Sequence, residues 1–293
     1  MAMETPLVSI IMPVLNAERT LSSALRSIVA QTYEHWELIL IDDGSRDSTL
    51  ATARREADSR ISVIEGGANL GLAARLNQAI GLSRGDYIAR MDADDIAYPE
   101  RLAAQVTFML AHPECDLVGS AALIFDNAGR IKGKFLLRET HEDICASPWA
   151  GFALPHPTWL GKRGWFTRFG YRPDYKKTQD QDLLLRSYTE SRFACMGQIL
   201  LGYRQERRTL KKLLAGRWNF ARSIFREARR QGVLGAGFLG LGAQGAKAFA
   251  DVLTVSLRLD GWLRGESNAM VTPSEEQVWR AVWAVVDKGN SLK

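Results

Sequence analysis

Four short apolar runs, each closed by polar residues, constrain this chain most. Leu7-Val8-Ser9-Ile10-Ile11-Met12 and Leu38-Ile39-Leu40-Ile41 are nearly unbroken, and Ile61-Ser62-Val63-Ile64 and Tyr87-Ile88-Ala89-Arg90-Met91 complete the set. Runs of this length with little polar alternation read as strands buried on both faces of a sheet. Helical periodicity fills the intervals. Leu21, Ala24, Leu25, Ile28 and Val29 recur at i, i+3, i+4, i+7 and i+8, which is one face of a helix. A second helix opens at Asp47-Ser48-Thr49 with Asp or Ser as its cap. A third covers about Leu72 to Leu82, and a fourth starts at Tyr98-Pro99-Glu100-Arg101, where Pro99 suits a first turn. Pro13 is expected to end the first strand, because proline cannot donate to a central ladder, and Asn16 to cap the helix that follows. Strands alternating with helices predict an α/β chain with a Rossmann-like, mostly parallel sheet flanked by helices.

In such sheets ligands bind outside the carboxyl ends of the strands. The polar clusters of this chain fall at those ends: Pro13 to Asn16, Asp42-Asp43, Asn69 to Gly71, and Asp92-Ala93-Asp94-Asp95. Carboxylates repel one another and are costly to bury unpaired, so three acids within four residues at a strand end make sense around a cation. Mg²⁺ and Mn²⁺ take hard oxygen ligands, usually one or two carboxylates together with substrate phosphates. A solvated acidic turn explains Asp92-Ala93-Asp94 equally well in isolation. Four polar segments on one sheet edge tip the balance towards a metal and nucleotide site. Neither G-x-G-x-x-G after the first strand nor G-x-x-x-x-G-K-[ST] occurs, which argues against a dinucleotide dehydrogenase and a P-loop NTPase.

The blocks Val8-Ser9-Ile10-Ile11-Met12-Pro13-Val14-Leu15-Asn16, Leu40-Ile41-Asp42-Asp43-Gly44-Ser45, Asn69-Leu70-Gly71-Leu72-Ala73-Ala74 and Gly85 to Asp95 follow one another in an order and spacing that closely resembles the family 2 glycosyltransferases of GT-A fold, over roughly residues 7 to 205. The resemblance implies that Asp42 binds the nucleotide base with Asp43 alongside it. It also implies that Pro13, Val14 and Asn16 line the nucleotide pocket with Asn69 and Gly71, and that Asp92 and Ala93 lie near the ribose or the metal. Asp94 would be the main metal ligand, with Asp92 as a second. The implied cofactor is Mn²⁺ or Mg²⁺, and the implied donor a nucleotide-diphosphate sugar, most commonly a UDP-sugar. Arg75 either reaches the base or a phosphate, or sits on a solvated helix face.

After Gly119 the alternation weakens. Leu123-Ile124-Phe125 before Asp126-Asn127-Ala128-Gly129-Arg130 reads as a strand and turn. Two prolines flank His156 and force an extended backbone there. His156 and Trp159 are candidates for acceptor binding, against structural roles as a loop histidine and a core tryptophan. Lys177-Thr178-Gln179-Asp180-Gln181-Asp182-Leu183 resembles the family's Glu-Asp-x-Asp-Leu block, which makes Asp180 the expected catalytic base and Asp182 the runner-up. Gln179 departs from that pattern by removing one neighbouring negative charge. A carboxylate in hydrogen-bond reach of a sugar hydroxyl can take its proton as it attacks the anomeric carbon. One such displacement inverts that centre. The Gln-x-x-Arg-Trp motif and spanning helices of processive relatives are missing from the sequence, so transfer of single residues is expected.

The remainder divides the chain, by expectation, into a catalytic domain over 1–205 (about 1–120 for the nucleotide sugar, about 121–205 for the acceptor and base) and a basic helical extension over 206–293. Arg204, Arg207, Arg208, Lys211, Lys212, Arg217, Arg222, Arg226, Arg229 and Arg230 crowd beside helically spaced apolar residues. That pattern suits a peripheral contact with anionic membrane through 204–245, or else a helix packed on the catalytic domain. No recognised nucleic-acid motif accompanies the charge. Trp279 and Trp283, at i and i+4, read as packing residues. The net charge of +5 is mild, and three cysteines far apart form no metal or disulfide framework. No leader is expected in Met1 to Pro6, and no stretch approaches the ~20 apolar residues of a spanning helix. Cytoplasmic residence, peripheral on the membrane's inner face, is the expectation. The function expected is inverting transfer of a sugar to a saccharide or lipid-linked saccharide acceptor in cell-envelope polysaccharide, lipopolysaccharide or other glycoconjugate synthesis. A nucleotidyltransferase, or an inactive membrane-associated glycosyltransferase-like protein, is the alternative.

Overall fold

The computed structural model describes residues 5–56, 58–135, 137–175, 177–205, 209–256 and 268–287. The four apolar runs are strands β1 (Val8–Val14), β2 (Trp36–Asp42), β3 (Ile61–Glu65) and β4 (Tyr87–Arg90). They lie in the order β4-β1-β2-β3 and are all parallel. Helices α1 (Leu21–Val29), α2 (Thr49–Arg55) and α3 (Leu72–Leu82) make the crossovers. The pleat sorts each strand between two cores. Ile10, Met12, Leu38 and Leu40 face the core that holds Leu21, Leu25 and Ile28 of α1. Ile11, Ile39 and Ile41 face the core that holds Leu76 and Ile80 of α3. Each such fully buried side chain contributes about 1.5–3 kcal/mol, which fixes the register and so the strand ends.

Pro13 does not end β1; it pairs in register with Ile41. The carbonyl of Ile11 accepts from Met91 on the β4 side, and that of Val14 accepts from Asp43 on the β2 side. By alternation Pro13 faces β4, whose pairing stops at Ile11. Its missing N–H therefore interrupts no ladder. Asn16 does not cap α1 either. Thr20 holds the N-cap position without a side-chain bond, and Asn16 is in the left-handed region at φ 51°. In α2 it is Asp47 that accepts from the Thr49 amide, at 3.0 Å. Helix α4 (Arg101–Ala111) begins just after Tyr98-Pro99-Glu100.

The second half completes a mixed sheet. Short β5 (Ile96–Ala97) pairs antiparallel with the far end of β9 (Phe193–Arg204). Long β6 (Leu117–Phe125) runs parallel to β9 and forms a hairpin with β7 (Ile131–Phe135). The three-residue β8 (Leu160–Lys162) is wedged antiparallel between β4 and β6. The loop from Met91 to Asp95 is thus clamped by strands at both ends. Helices α5 (His141–Ile144), α6 (Arg163–Phe169) and α7 (Gln179–Ser187) cover this half.

Helix α8 (Leu210–Gln231) is capped by Thr209 and stopped by Gly232 at φ 71°, a conformation that favours glycine. It packs on α7, with Phe220 and Ile224 in the second core. Helix α9 (Leu234–Ser256) folds back along it, with Gly237 against Ala228. Strand β10 (Asn268–Ala269) adds to β7, and α10 (Pro273–Val286), with its Thr272/Glu275 capping box, buries Trp279 against Phe125. Trp279 is 1% exposed, the packing role expected of it. Arg207 and Arg208 lie outside the described residues. Among the described residues no helix is long and apolar enough to cross a membrane.

Candidate active site

The carboxyl edge of the parallel strands carries two groups of acids, and a third opens α7. Asp42 is the last residue of β2. Its Oδ2 accepts from the amides of Gly44 at 3.1 Å and Ser45 at 3.0 Å. Gly44 needs its glycine because φ is 83° and a Cβ would meet the Gly67 carbonyl at 2.7 Å. The other oxygen, Oδ1, is buried without a hydrogen-bond partner among the described residues. Asp43 contrasts with it. It accepts from the amides of Leu70 at 2.8 Å and Gly71 at 2.9 Å and from Arg75 Nε at 2.8 Å. Arg75 is 3% exposed and also donates to the Gly66 carbonyl and to Gln78. It is not on a solvated helix face: it knits the 66–71 loop to Asp43. Asn16 links the neighbouring loop, donating its amide to Ser45 Oγ and accepting from the Arg46 amide, both at 2.9 Å. Pro13 and Val14 are buried beneath it, and Asn69 stands exposed on the loop before Gly71.

One carboxylate oxygen from each of Asp92, Asp94 and Asp95 falls within 4.8 Å of the others. Ala93 sits buried among them. Asp95 is fully buried. Its Oδ1 accepts from the Arg204 amide at 2.8 Å, and its Oδ2 has no partner among the described residues. Arg204 Nε donates to the Asp94 carbonyl at 2.7 Å, and the guanidinium lies over Phe125. Arg204 therefore does not belong to a basic surface helix. It ends β9, is 7% exposed and holds the acidic loop. Burial, and then the Asp92 charge, push the Asp94 carboxyl up to about 6. The same causes, with Asp94 added, hold Asp95 well above the usual carboxylate range. A divalent cation would relieve both the crowding and the orphaned Oδ2, and hard oxygen donors suit Mn²⁺ or Mg²⁺. The residues present fit such an ion.

Asp180 and Asp182 open α7, after Thr178 in the left-handed region at φ 59°. Their environments differ sharply. Asp182 is 0% exposed and fully engaged: it accepts from Arg172 at 3.0 Å, Arg186 Nε at 2.8 Å and Ser223 Oγ of α8 at 2.5 Å. Asp180 forms no ion pair among the described residues, and burial raises its carboxyl above the ordinary value. Gln179, beside it, is buried. Gln181 pins Phe152 through both backbone groups.

His156 and Tyr171 share a hydrogen bond at 2.8 Å. Burial, then the Arg90 charge, hold the imidazole well below its usual range, so it is neutral. Trp159 is 0% exposed, its indole N–H on the Leu154 carbonyl and its ring edge-on to His156. It backs His156 and offers no open face to a sugar. Trp165 is likewise core, its N–H on Ser191 Oγ.

Arg90 escaped the sequence reading. It is 2% exposed and paired with Asp92. Its Nε has no hydrogen-bond partner among the described residues. Its charge acts on Asp92, Asp94, Asp95, Asp180 and His156, so one buried guanidinium sits within electrostatic reach of both the acidic loop and α7. The signal was there: a charged residue inside an otherwise apolar strand, two positions before the acids.

The model of the glycosyl transferase family 2 matches residues 9–170. Putative glycosyltransferase EpsE of Bacillus subtilis is 39% identical over 191 residues, which covers 63% of this chain and 68% of that protein. The Escherichia coli UDP-Glc:alpha-D-GlcNAc-diphosphoundecaprenol beta-1,3-glucosyltransferase WfgD is 38% identical over 134 residues, 46% of this chain and 52% of its own length. Among solved structures, mannosyltransferase PcManGT from Pyrobaculum calidifontis in complex with GDP-Man and Mn²⁺ superposes with a TM-score of 0.62 at 17% identity, covering 99% of this chain and 88% of that one. S. aureus TarS 1-349 in complex with UDP gives 0.58 at 17% identity, covering 95% and 79%. These two likenesses show the GT-A fold. With the sequence match spanning β1 to α6, the chain belongs to glycosyl transferase family 2.

Proposed function

We propose that the protein transfers a sugar from a nucleotide-diphosphate sugar to an acceptor hydroxyl with inversion, in the synthesis of cell-envelope polysaccharide, lipopolysaccharide or a related glycoconjugate. One observation carries this reading. A carboxylate that forms no ion pair among the described residues, Asp180, and the acidic loop of Asp92, Asp94 and Asp95 share the field of one buried guanidinium, Arg90. That is a base beside a place for a diphosphate and its cation.

The residues divide the work as follows. Asp42 Oδ1, buried without a donor, accepts from an N–H of the base, and Asp43 with Arg75 holds the loop that closes over it. Pro13, Val14, Asn16, Asn69 and Gly71 shape that pocket. Asp94 and Asp92 hold Mn²⁺ or Mg²⁺, with Asp92 also near the ribose and Ala93 between them. When bound, the ion neutralises charge on the leaving nucleoside diphosphate. Asp180 takes the acceptor proton, and its raised affinity for that proton suits it as a base near neutral pH. Asp182 is fixed by Arg172, Arg186 and Ser223 and positions α7. Neutral His156, backed by Trp159, faces the acceptor as a hydrogen-bonding group. A UDP-sugar is the preferred donor, and the acceptor is a saccharide or lipid-linked saccharide; the names of WfgD and TarS support that choice.

Residues 1–205 form the catalytic unit in this proposal, with about 1–120 serving the donor and about 121–205 the acceptor and base. The extension over 206–293 supports α7 and brings the protein to anionic membrane. Exposed Trp218, Phe225, Phe238, Leu239 and Phe249 on α8 and α9, near Arg226, Arg229 and Arg230, suit a peripheral contact at the cytoplasmic face.

The test is a panel of nucleotide sugars with Mn²⁺, read as nucleoside diphosphate release. Release from at least one donor, lost in Asp94→Ala with the fold retained, is expected. Unchanged turnover in Asp94→Ala contradicts the metal role.

A further inference from the structure

A cleft of about 990 Å³ opens between the start of α7, the 147–153 loop and the hairpin of α8 and α9. Its walls are strongly one-sided in charge. Arg138, Lys177, Lys212, Arg217 and Lys247 line it, and Asp143 is the one carboxylate among the described lining residues. Arg217 is matched by Asp251 at 3.0 Å, and the Lys247 ammonium donates to the Ala150 carbonyl at 2.8 Å. The cations come from separate stretches of chain, namely the segment before α5, the approach to α7, and the two C-terminal helices. Folding, not local sequence, collects them. Like charges gathered round a concavity repel one another; burial first, and then the Arg217 charge, already lower the proton affinity of Lys247. A polyvalent anion would turn that repulsion into attraction.

The cleft reaches the start of α7. Thr178, Gln179 and Gln181 line it, and these flank Asp180 on either side. Its volume lies at the upper end of that of small-molecule sites, enough for a phosphorylated saccharide. We propose that this cleft binds the phosphate or diphosphate group of the acceptor, anchored by Lys212 and Lys247, and so presents the acceptor hydroxyl to Asp180. It deepens the glycosyl-transfer reading, on which its purpose rests. The shared chemistry is a sugar phosphate ester or diphosphate, whether lipid-linked or free.

The experiment is calorimetric titration of the full chain with inorganic diphosphate at low salt in EDTA, which leaves no divalent ion to hold the probe at the acidic loop. Saturable binding is expected, unchanged in Asp94→Ala. It should weaken at least fivefold in Lys212→Glu/Lys247→Glu and be retained in Lys212→Arg/Lys247→Arg. All four proteins are first matched by circular dichroism. No binding to wild type, less than fivefold weakening in the Glu variant, or loss in Asp94→Ala overturns the proposal. If the Glu variant does not fold, raising the salt tenfold on wild type must weaken binding at least fivefold, and a smaller change overturns it. Repeating the titration with a prenyl diphosphate in neutral micelles separates the sources. Tenfold tighter binding than inorganic diphosphate assigns a lipid-linked acceptor, and a smaller difference assigns a free sugar phosphate. These titrations read binding alone. A failed donor screen leaves the cleft standing, and a failed titration leaves glycosyl transfer standing.

Discussion

The two acidic pairs at the site, Asp42-Asp43 and Asp180-Asp182, are built alike from different parts. In each, one carboxylate is closed by an arginine and its neighbour forms no ion pair among the described residues. Asp43 is closed by Arg75 and two amides, while Asp42 keeps an oxygen without a donor among the described residues. Asp182 is closed by Arg172, Arg186 and Ser223, while Asp180 forms no ion pair among the described residues and is raised by burial. The saturated member fixes the backbone. The incomplete member is thereby held where folding gives it little in return, which is where a ligand can be the missing partner. The pairs differ in reach. Asp43 secures the 66–71 loop, whereas Asp182 joins the loop after α6 to α7 and α8, so the C-terminal extension contributes to the geometry of Asp180, the proposed base.

This asymmetry predicts unequal damage. Asp182→Ala removes the carboxylate shared by Arg172, Arg186 and Ser223, leaving Arg172 only the more distant Glu227 at 4.0 Å, and should cost about 3–5 kcal/mol, read as a lower denaturation midpoint. Asp180→Ala should cost less than about 1 kcal/mol, and equal losses would erase the distinction. Saturating Mn²⁺ at a hundredfold its Kd should stabilise the wild type by about 2.7 kcal/mol. That gain should shrink below pH 6, because Asp94, pushed up to about 6, must release its proton, and it should vanish in Asp94→Asn. A pH-independent shift would move the ion elsewhere. Arg75→Ala should destabilise by about 2 kcal/mol through the unpaired Asp43, with donor affinity falling as the 66–71 loop loosens. Unchanged affinity would separate that loop from the donor.

The smallest effect is on pH. A carboxyl raised in the folded state keeps its proton there after the unfolded chain has lost it. Asp180 thus contributes stability that is full below the ordinary carboxylate value of ~3.9 and is lost as pH rises through its raised value. Asp180→Asn should be slightly more stable than wild type at neutral pH. In wild type the acid limb of kcat/KM should lie above the ordinary carboxylate range. A limb near 4 would contradict Asp180 as the base.

The parallel first half was legible in the sequence and the second half was less so, for physical reasons. Strands β1 to β4 are short runs buried on both faces, and α3 falls on its expected span because one apolar stripe decides it. Strand β8 has three residues and takes its place from neighbours in β4 and β6, so no local pattern announces it. Asp180 and Asp182 look interchangeable in sequence. Arg172, Arg186 and Ser223, which distinguish them, come from three segments. Arg204 read as part of a basic run because its partners, Asp94 and Asp95, lie more than a hundred residues away. Pro13 and Asn16 misled through rules that hold for central ladders and helix starts, when one sits beyond its neighbour's end and the other ties two loops.

The most direct test compares Asp180→Asn with Asp182→Asn in the same donor-release assay, each checked for fold and for nucleotide binding. The account predicts that Asp180→Asn binds nucleotide as wild type does and loses turnover by about 10²–10⁴-fold. It predicts that Asp182→Asn loses stability before it loses chemistry. A folded, nucleotide-binding but inactive Asp182→Asn, alongside an active Asp180→Asn, would contradict it.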